Sequence, residues 1–294
     1  MTFLPTRASR LRFASALLLS AVAATASLAQ GTGDGFGKLD PTPPTGITPE
    51  EIIKKMGEKE SAFARARAQY TFRQTVRVQT IADDTNKPDG EYQQVTDITF
   101  DAQGKRDEHV VFAPQNTLER VMMSPSDFRD IEQRLPFVLT TEQLPEYDLT
   151  YLGRQKVDEL DTYVFDVKPK RLEKGKRYFQ GKAWLDATDL QIVLINGLNV
   201  PQDTRRGHED LSPPFSTYYQ QIDGKYWFPT YTKMEGNLHF AAQDGAVSQD
   251  VHMRTVVKYT DYKLFHSTVT IHYNGEEIPG TAPDTKSPTP APPK

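Results

Sequence analysis

The side chains able to do chemistry are six histidines (His109, His208, His239, His252, His266 and His272) and several neighbouring carboxylates. No two histidines stand four apart, the spacing of a helical zinc pair, and cysteine is absent. A thiolate zinc set, a disulfide, a cysteine nucleophile and a cysteine-anchored lipid are therefore all excluded. His252 and His272 fall in strand-like segments, where a surface or hydrogen-bonded histidine is the plain reading. Asp83 with Asp84, Glu159 with Asp161, and Glu209 with Asp210 offer acid pairs. A glycosidase needs two carboxylates held about 5 to 10 Å apart across a cleft, whereas these cluster in predicted turns and read as solvated loop residues. No Gly-x-Ser-x-Gly elbow occurs. Gly31, Gly33, Gly35 and Gly37 imitate a phosphate loop, but no strand precedes them and no helix follows directly. The expectation is a protein with no catalytic residue, no metal site and no cofactor.

Composition narrows the class further. Of 294 residues, 37% are hydrophobic and 25% charged, with 15 Phe, 13 Tyr and 2 Trp, enough for a packed core and too polar for a membrane-embedded body. A net charge of −4 argues against a nucleic-acid binder, which presents a strongly basic face. Residues 1–29 read as a signal peptide: Arg7, Arg10 and Arg12 precede an uncharged run from Phe13 to Ala29, and Ser27-Leu28-Ala29 supplies a small-x-small cleavage pattern. The chain from residue 30 then carries 32 basic and 39 acidic groups. No later stretch is long enough to cross a bilayer as a helix. Export without an anchor points to the periplasm or to the medium.

Two segments have linker character, residues 30–46, rich in Gly and Pro, and Pro279 to Lys294, with six prolines in 16 residues. Between them, Ile47 to Arg67 predicts one long amphipathic helix. Thr48-Pro49-Glu50-Glu51 opens it with an N-cap, a first-turn proline and acids, and Ile52, Ile53, Met56 and Phe63 form its apolar stripe. From Tyr70 the period falls to two: Tyr70, Phe72, Val76 and Val78 alternate with polar residues, and Gln74 interrupts the apolar face. Strand patterns recur at 92–100, 106–112, 147–157, 162–169, 178–186, 190–195, 217–222, 226–234 and 251–264, with a short helical piece near 124–134. Short spacings favour consecutive antiparallel strands over strand-helix-strand units.

The predicted fold class is thus mainly β (α+β), a large antiparallel sheet that curls because about ten strands rarely stay flat. One amphipathic helix covers its inner face as a lid. The space between helix and sheet is either filled core or cavity, and strand alternation looks the same in both cases. The loop from Asn196 to Pro214, charged at Arg205-Arg206-Gly207-His208-Glu209-Asp210, reads as a solvated connection or a binding loop.

Several segments in order resemble the periplasmic lipoprotein-carrier family, the LolA/LolB-like proteins. They are the helix with Tyr70-Thr71-Phe72-Arg73-Gln74, then Leu135-Pro136-Phe137-Val138-Leu139, Tyr147 to Tyr151, the run from Asp161 to Lys170, and Ala183-Trp184-Leu185-Asp186 with Leu190-Gln191-Ile192-Val193. The resemblance spans residues 47–264 and implies an incomplete barrel with a helical lid over an apolar cavity. Gln115 to Arg134 departs from it by looking helical, and the 196–214 loop departs by its length. Carried over, it implies a non-enzymatic carrier of lipoprotein acyl chains or another hydrophobic ligand, without nucleic acid or stable membrane insertion. Tyr70, Phe72, Val76, Val78, Tyr163, Phe165, Trp184, Tyr226 and Phe228 would line the cavity, with Ile52, Ile53, Met56 and Phe63 as the lid. The rival reading within the same superfamily is a sensor that binds lipid or an envelope protein partner.

Overall fold

The computed structural model describes residues 35–101, 105–202, 211, 213–240, 248–265, 271–273 and 276–278. Residues 1–29, which read as a signal peptide, the charged part of the 196–214 loop and the proline-rich stretch 279–294 lie outside the described residues.

Helix α1 (Pro49–Arg67) begins with a complete capping box. Thr48 Oγ1 accepts from the Glu51 backbone N–H at 3.2 Å, and the Glu51 carboxylate accepts from the Thr48 N–H at 2.9 Å. Two of the N–H groups that a helix start leaves without partners are thereby satisfied. Its buried residues are Ile52, Met56, Gly57, Glu60, Ser61 and Phe63. Gly57 lets the helix lie close to the segment before β4: a Cβ there would stand 2.6 Å from Leu144 Cδ1.

Ten strands form one antiparallel sheet: β1 (Tyr70–Ile81), β2 (Pro88–Phe100), β3 (Arg106–Phe112), β4 (Tyr147–Val157), β5 (Leu160–Pro169), β6 (Tyr178–Asp186), β7 (Ile192–Val200), β8 (Phe215–Gln221), β9 (Trp227–Phe240) and β10 (Gln249–Leu264). Their spatial order is β3-β2-β1-β10-β9-β8-β7-β6-β5-β4, so every neighbour in space is a neighbour in sequence except the β1–β10 pair. Turn chemistry enforces this meander. Asp186 Oδ1 accepts from the Thr188 and Asp189 N–H groups, and Asp223 Oδ1 from those of Lys225 and Tyr226, each a local bond that reverses the chain. The sheet does not close: β3 and β4 remain edges, as an incomplete barrel requires. A small hairpin, β11 (Ile271–Tyr273) with β12 (Glu276–Ile278), stands apart from it.

The β4 edge is covered. Phe36 bridges Val157 and Asp40 bridges Arg154 within the stretch whose composition predicts a linker. The Gly37 N–H donates to the Lys156 carbonyl at 2.7 Å, and Asp40 and Arg154 exchange both backbone bonds. Phe36 also packs at a tilt against Trp184, ring centroids 5.7 Å apart, in an outer-face cluster with Val157, Val164, Val193 and Leu194.

The opposite, inner face carries the main core. Helix α2 (Pro125–Gln133) is shorter than the Gln115 to Arg134 reading, because Ser124 caps it and Arg134 ends it, while residues 113–123 run without regular structure. The connection from β3 to β4 crosses the inner face and delivers Val121, Ile131, Leu135, Phe137 and Leu139 into a cluster with Ile52 and Met56 of α1 and Val76, Val78, Phe165, Ile195, Phe215, Met234 and Val257 of the sheet. Two hydroxyls bind it to the strands: Thr217 Oγ1 donates to the Leu135 carbonyl at 2.8 Å and Tyr219 to the Phe137 carbonyl at 2.7 Å. Strand β7 runs to Val200, so the long loop that follows begins later than Asn196.

Candidate functional site

Over the inner face the packing is uneven, tight between α2 and the sheet and looser at the end of α1. Beside Val78, Ile131, Leu135, Met234 and Met253 the free space is about 10 Å³, too little for more than one water molecule. At the C-terminal end of α1 a pocket of about 240 Å³ opens. A larger hollow of about 490 Å³ lies over β8 and β9, bounded by Ser216, Tyr218, Gln220, Tyr231, Lys233 and Glu235. It is a wide depression of the sheet surface with a largely polar lining, and the more enclosed aromatic pocket is the better binding site.

Each element contributes to that pocket. Helix α1 supplies Phe63 and, one turn on, Arg67. Strand β1 supplies Phe72, and the β2–β3 hairpin supplies the register pair Phe100 and Arg106. Glu132 and Pro136 come from α2 and the residues after it, Phe228 and Pro229 from β9, and Tyr259 and Tyr262 from β10. The rings hold one another. Phe63 meets Phe228 edge to face at 5.1 Å, Tyr70 lies behind Phe228 at 4.7 Å, Phe228 contacts Tyr262 at 4.8 Å, and Tyr262 stacks on Phe72 at 5.2 Å. Such pairs add about 0.5–1.5 kcal/mol each beyond their buried area, so the wall is preorganised. Two hydroxyls orient it: Tyr262 donates to the Pro229 carbonyl at 2.7 Å and Tyr70 to Asp223 Oδ2 at 2.6 Å.

A β-bulge explains how both β10 tyrosines reach the same face. Tyr259 and Tyr262 are three apart, so strict alternation would put them on opposite faces. Opposite Phe72 the register shifts: Thr71 pairs with Lys263 and Arg73 with Thr260, leaving one extra residue on β10, and Asp261 takes a positive φ of 58°. The inserted residue turns Tyr262 inward.

The pocket's charges are unequal. Arg106 donates through Nε to Glu108 at 2.6 Å and through Nη2 to Gln74 Oε1 at 3.0 Å, with its guanidinium 5.9 Å from the Phe72 centroid. Arg67 makes no side-chain hydrogen bond or ion pair among the described residues. Its side chain is exposed, at the open side of the pocket. The protein packed around it still lowers its pKa, desolvation being the largest cause, with Tyr219, Tyr262 and Glu60 opposing and Arg106 adding to the drop. Burial raises the Glu132 carboxyl, Glu108 raises it further, and Arg106 and Arg129 act against both. Burial pushes the Tyr259 hydroxyl up to about 12. The described lining holds one carboxylate and no histidine, so it presents a binding wall rather than an acid–base pair. Among the described residues no group of three or more His, Asp or Glu side chains is arranged to hold a metal ion, and no helix is long and apolar enough to cross a membrane.

Of the residues singled out from the sequence, Phe63, Phe72 and Phe228 line this pocket. Tyr70 supports it from behind, and Tyr226 contacts Phe63 at 6.0 Å. Val76, Val78, Tyr163 and Phe165, with Ile52 and Met56, stand in the closed core, and Ile53 packs half-buried against it. Trp184 faces the other way: Ala183 and Leu185 point inward, and its indole donates to Gln155 Oε1 at 2.8 Å beside Phe36. Alternation fixes that outcome, and an aromatic at this position is an outer-face residue. The sequence reading missed Arg67, Phe100, Arg106, Glu132, Pro136, Pro229, Tyr259 and Tyr262. The bulge hid that Tyr262 shares the face of Tyr259, and nothing in the local pattern singles out an arginine at a helix end or at the start of a strand.

No protein-family model and no curated protein sequence matches the chain. Among solved structures it is similar to a DUF1329 family protein from Desulfovibrio piger, with 14% identity and a TM-score of 0.33 over 72% of this chain and 93% of that one. It is similar also to a domain described as that of an outer membrane lipoprotein-sorting protein from Vibrio parahaemolyticus, with 13% identity and a TM-score of 0.30 over 72% of this chain and 92% of that one. The Pseudomonas aeruginosa MucA/MucB complex supplies a third likeness, with 11% identity and a TM-score of 0.21 over 74% of this chain and 98% of that one.

Proposed function

We propose that this protein is an exported, non-enzymatic carrier that takes the apolar chain of a lipoprotein or another acyl-bearing ligand into the pocket at the C-terminal end of α1, for passage through the periplasm toward the outer membrane. The observation that carries this reading is the preorganised aromatic wall of Phe63, Phe72, Phe228, Tyr259 and Tyr262 around about 240 Å³ of free space. A dry cavity of about 150 Å³ takes one benzene ring, so the pocket suits roughly eight to ten carbons. At about 0.8 kcal/mol per methylene, such a segment gains about 7 kcal/mol before the cost of association is subtracted. A chain of some 16 carbons, fully enclosed, would gain about 12 kcal/mol and be slow to leave. Partial enclosure suits a carrier, which must release what it holds.

The test is uptake of a fluorescent fatty-acid analogue by the chain from residue 30 onward, with native mass spectra of protein purified from an envelope fraction. Saturable uptake that Phe72→Trp abolishes, together with co-purifying lipid, supports the carrier. No saturable uptake and no lipid overturns it.

A second reading, a module that binds an envelope protein partner, has one observation in its favour. Strand β3 is an edge of the sheet that no strand among the described residues covers, and on it Val110, Val111 and Phe112 are 49%, 47% and 51% exposed, a surface to which another strand can add. A stable protein partner recovered without lipid, and lost in Val111→Lys, would favour it.

A further inference from the structure

From the placement of Arg67 and Arg106 on the aromatic wall, we infer that the pocket selects an acyl chain bearing an anionic head, a carboxylate or a phosphate, with Arg67 as the group that meets the head. The inference rests on the carrier reading and adds the ligand's charge.

A guanidinium carries five donors and no acceptor, and one that stands exposed at the mouth of an apolar pocket has those donors available to a ligand head whose chain enters the pocket. Arg67 borders Phe63, Phe72, Phe228 and Tyr262, and its side chain makes no hydrogen bond or ion pair among the described residues, although the chain carries many carboxylates elsewhere. Arg106 shows what a satisfied arginine on this wall looks like, held by Glu108 and Gln74. These bonds use its Nε and Nη2 and leave Nη1 to a ligand. The two cations are close enough for Arg106 to act unfavourably on Arg67, and an anion between them removes that repulsion. Carboxylates and phosphates fit guanidinium donors in a fork geometry, and a chain attached to either would lie along the rings. Glu132 opposes the anion, so the three side chains predict a pattern of signs: removing the Arg67 charge weakens an anionic ligand, removing the Glu132 charge strengthens it, and a neutral chain responds to neither.

The experiment is a calorimetric titration of the chain from residue 30 onward with dodecanoate, dodecyl phosphate and dodecanol, each below its micelle concentration, for the unaltered protein, Arg67→Gln, Arg67→Lys and Glu132→Gln. Thermal melts establish that every variant folds. The expected result is that at least one anion binds about ten-fold or more tightly than dodecanol, as one charge-assisted contact implies. Arg67→Gln removes that preference, Arg67→Lys restores part of it, and Glu132→Gln enhances it. The better of the two anions identifies the head. Equal binding of dodecanol and both anions, or equal weakening of all three by Arg67→Gln, overturns the charge assignment and leaves the carrier standing. Binding of none of the three overturns the carrier reading itself.

Discussion

The two halves of α1 face the same sheet and meet it differently. Around Ile52 and Met56 the inner face is solid, because the β3–β4 connection crosses it and fills the gap with Ile131, Leu135, Phe137 and Leu139. Around Phe63 and Arg67 the same connection, through Glu132 and Pro136, forms only one wall, and a pocket remains. A curled sheet therefore does not enclose a cavity by virtue of its shape. Whether it holds a guest is decided by where the crossing segment lies, and a hollow survives where nothing is threaded through it.

The sharpest way to break this contrast is to remove one ring from each half. Phe165 is fully buried among closed-core residues, so Phe165→Ala leaves a cavity that its neighbours cannot fill and should cost about 3–5 kcal/mol. Phe72 is half-buried on the pocket wall, where the lost ring leaves space already open to water, and Phe72→Ala should cost about 1–2 kcal/mol, below the range for sealed cavities. Urea denaturation of both variants measures the difference. Equal losses would mean that the pocket is closed in solution.

The next effect concerns the group at the junction. Glu60 lies on the buried stripe of α1, 3% exposed, and its Oε1 accepts from the Ile192 N–H at 3.1 Å. Burial raises its pKa to about 8, against the lowering effects of the Ile192 bond and Arg67. The folded protein thus holds the proton that an unfolded carboxyl gives up near 4.5. This group's contribution to stability is complete below pH 4.5 and is lost as pH rises toward about 8. Glu60→Gln keeps an oxygen for the Ile192 N–H and removes the charge. It should therefore gain stability over the unaltered protein on the order of a few kcal/mol at pH 8 and little at pH 4.5. Melting both proteins across that window checks the sign. A constant difference would place a water or cation at the carboxylate.

Glu60 also shows how much of the site was legible. The capped helix, the strand alternation and the Asp186 and Asp223 turns are local features whose cause lies within a few residues, and the sequence displays them. The pocket depends on where distant segments cross, which no local pattern records. Two traces of it were nevertheless present. Gln74 interrupts the apolar face of β1 between Phe72 and Val76, and Glu60 interrupts that of α1 between Met56 and Phe63. In each pair one neighbour belongs to the pocket and the other to the closed core. Both interruptions are buried, and both hold something across the junction, Gln74 the guanidinium of Arg106 and Glu60 the backbone of Ile192. A polar break in an amphipathic stripe is usually discounted as noise. Here two such breaks mark the boundary between packing and space.

The smallest effect sharpens the comparison by adding volume instead of removing it. Val78 is 1% exposed in the closed half, where Val78→Phe must displace its neighbours and should cost about 1–3 kcal/mol. Phe72→Trp adds atoms to a wall that faces free space, and the larger ring can turn into the pocket beside Tyr262 without displacing backbone. Its expected cost is below about 1 kcal/mol, within the range of well-tolerated swaps. The two substitutions should separate in the opposite sense when ligand is present. A chain bound to the unaltered protein raises its melting temperature in proportion to its concentration over Kd. Val78→Phe should keep that rise, because its strain lies away from the pocket wall, whereas Phe72→Trp should lose it while remaining nearly as stable as the unaltered protein. A ligand-induced shift that survives Phe72→Trp would locate the bound chain elsewhere on the sheet, with the depression over β8 and β9 as the next surface to probe.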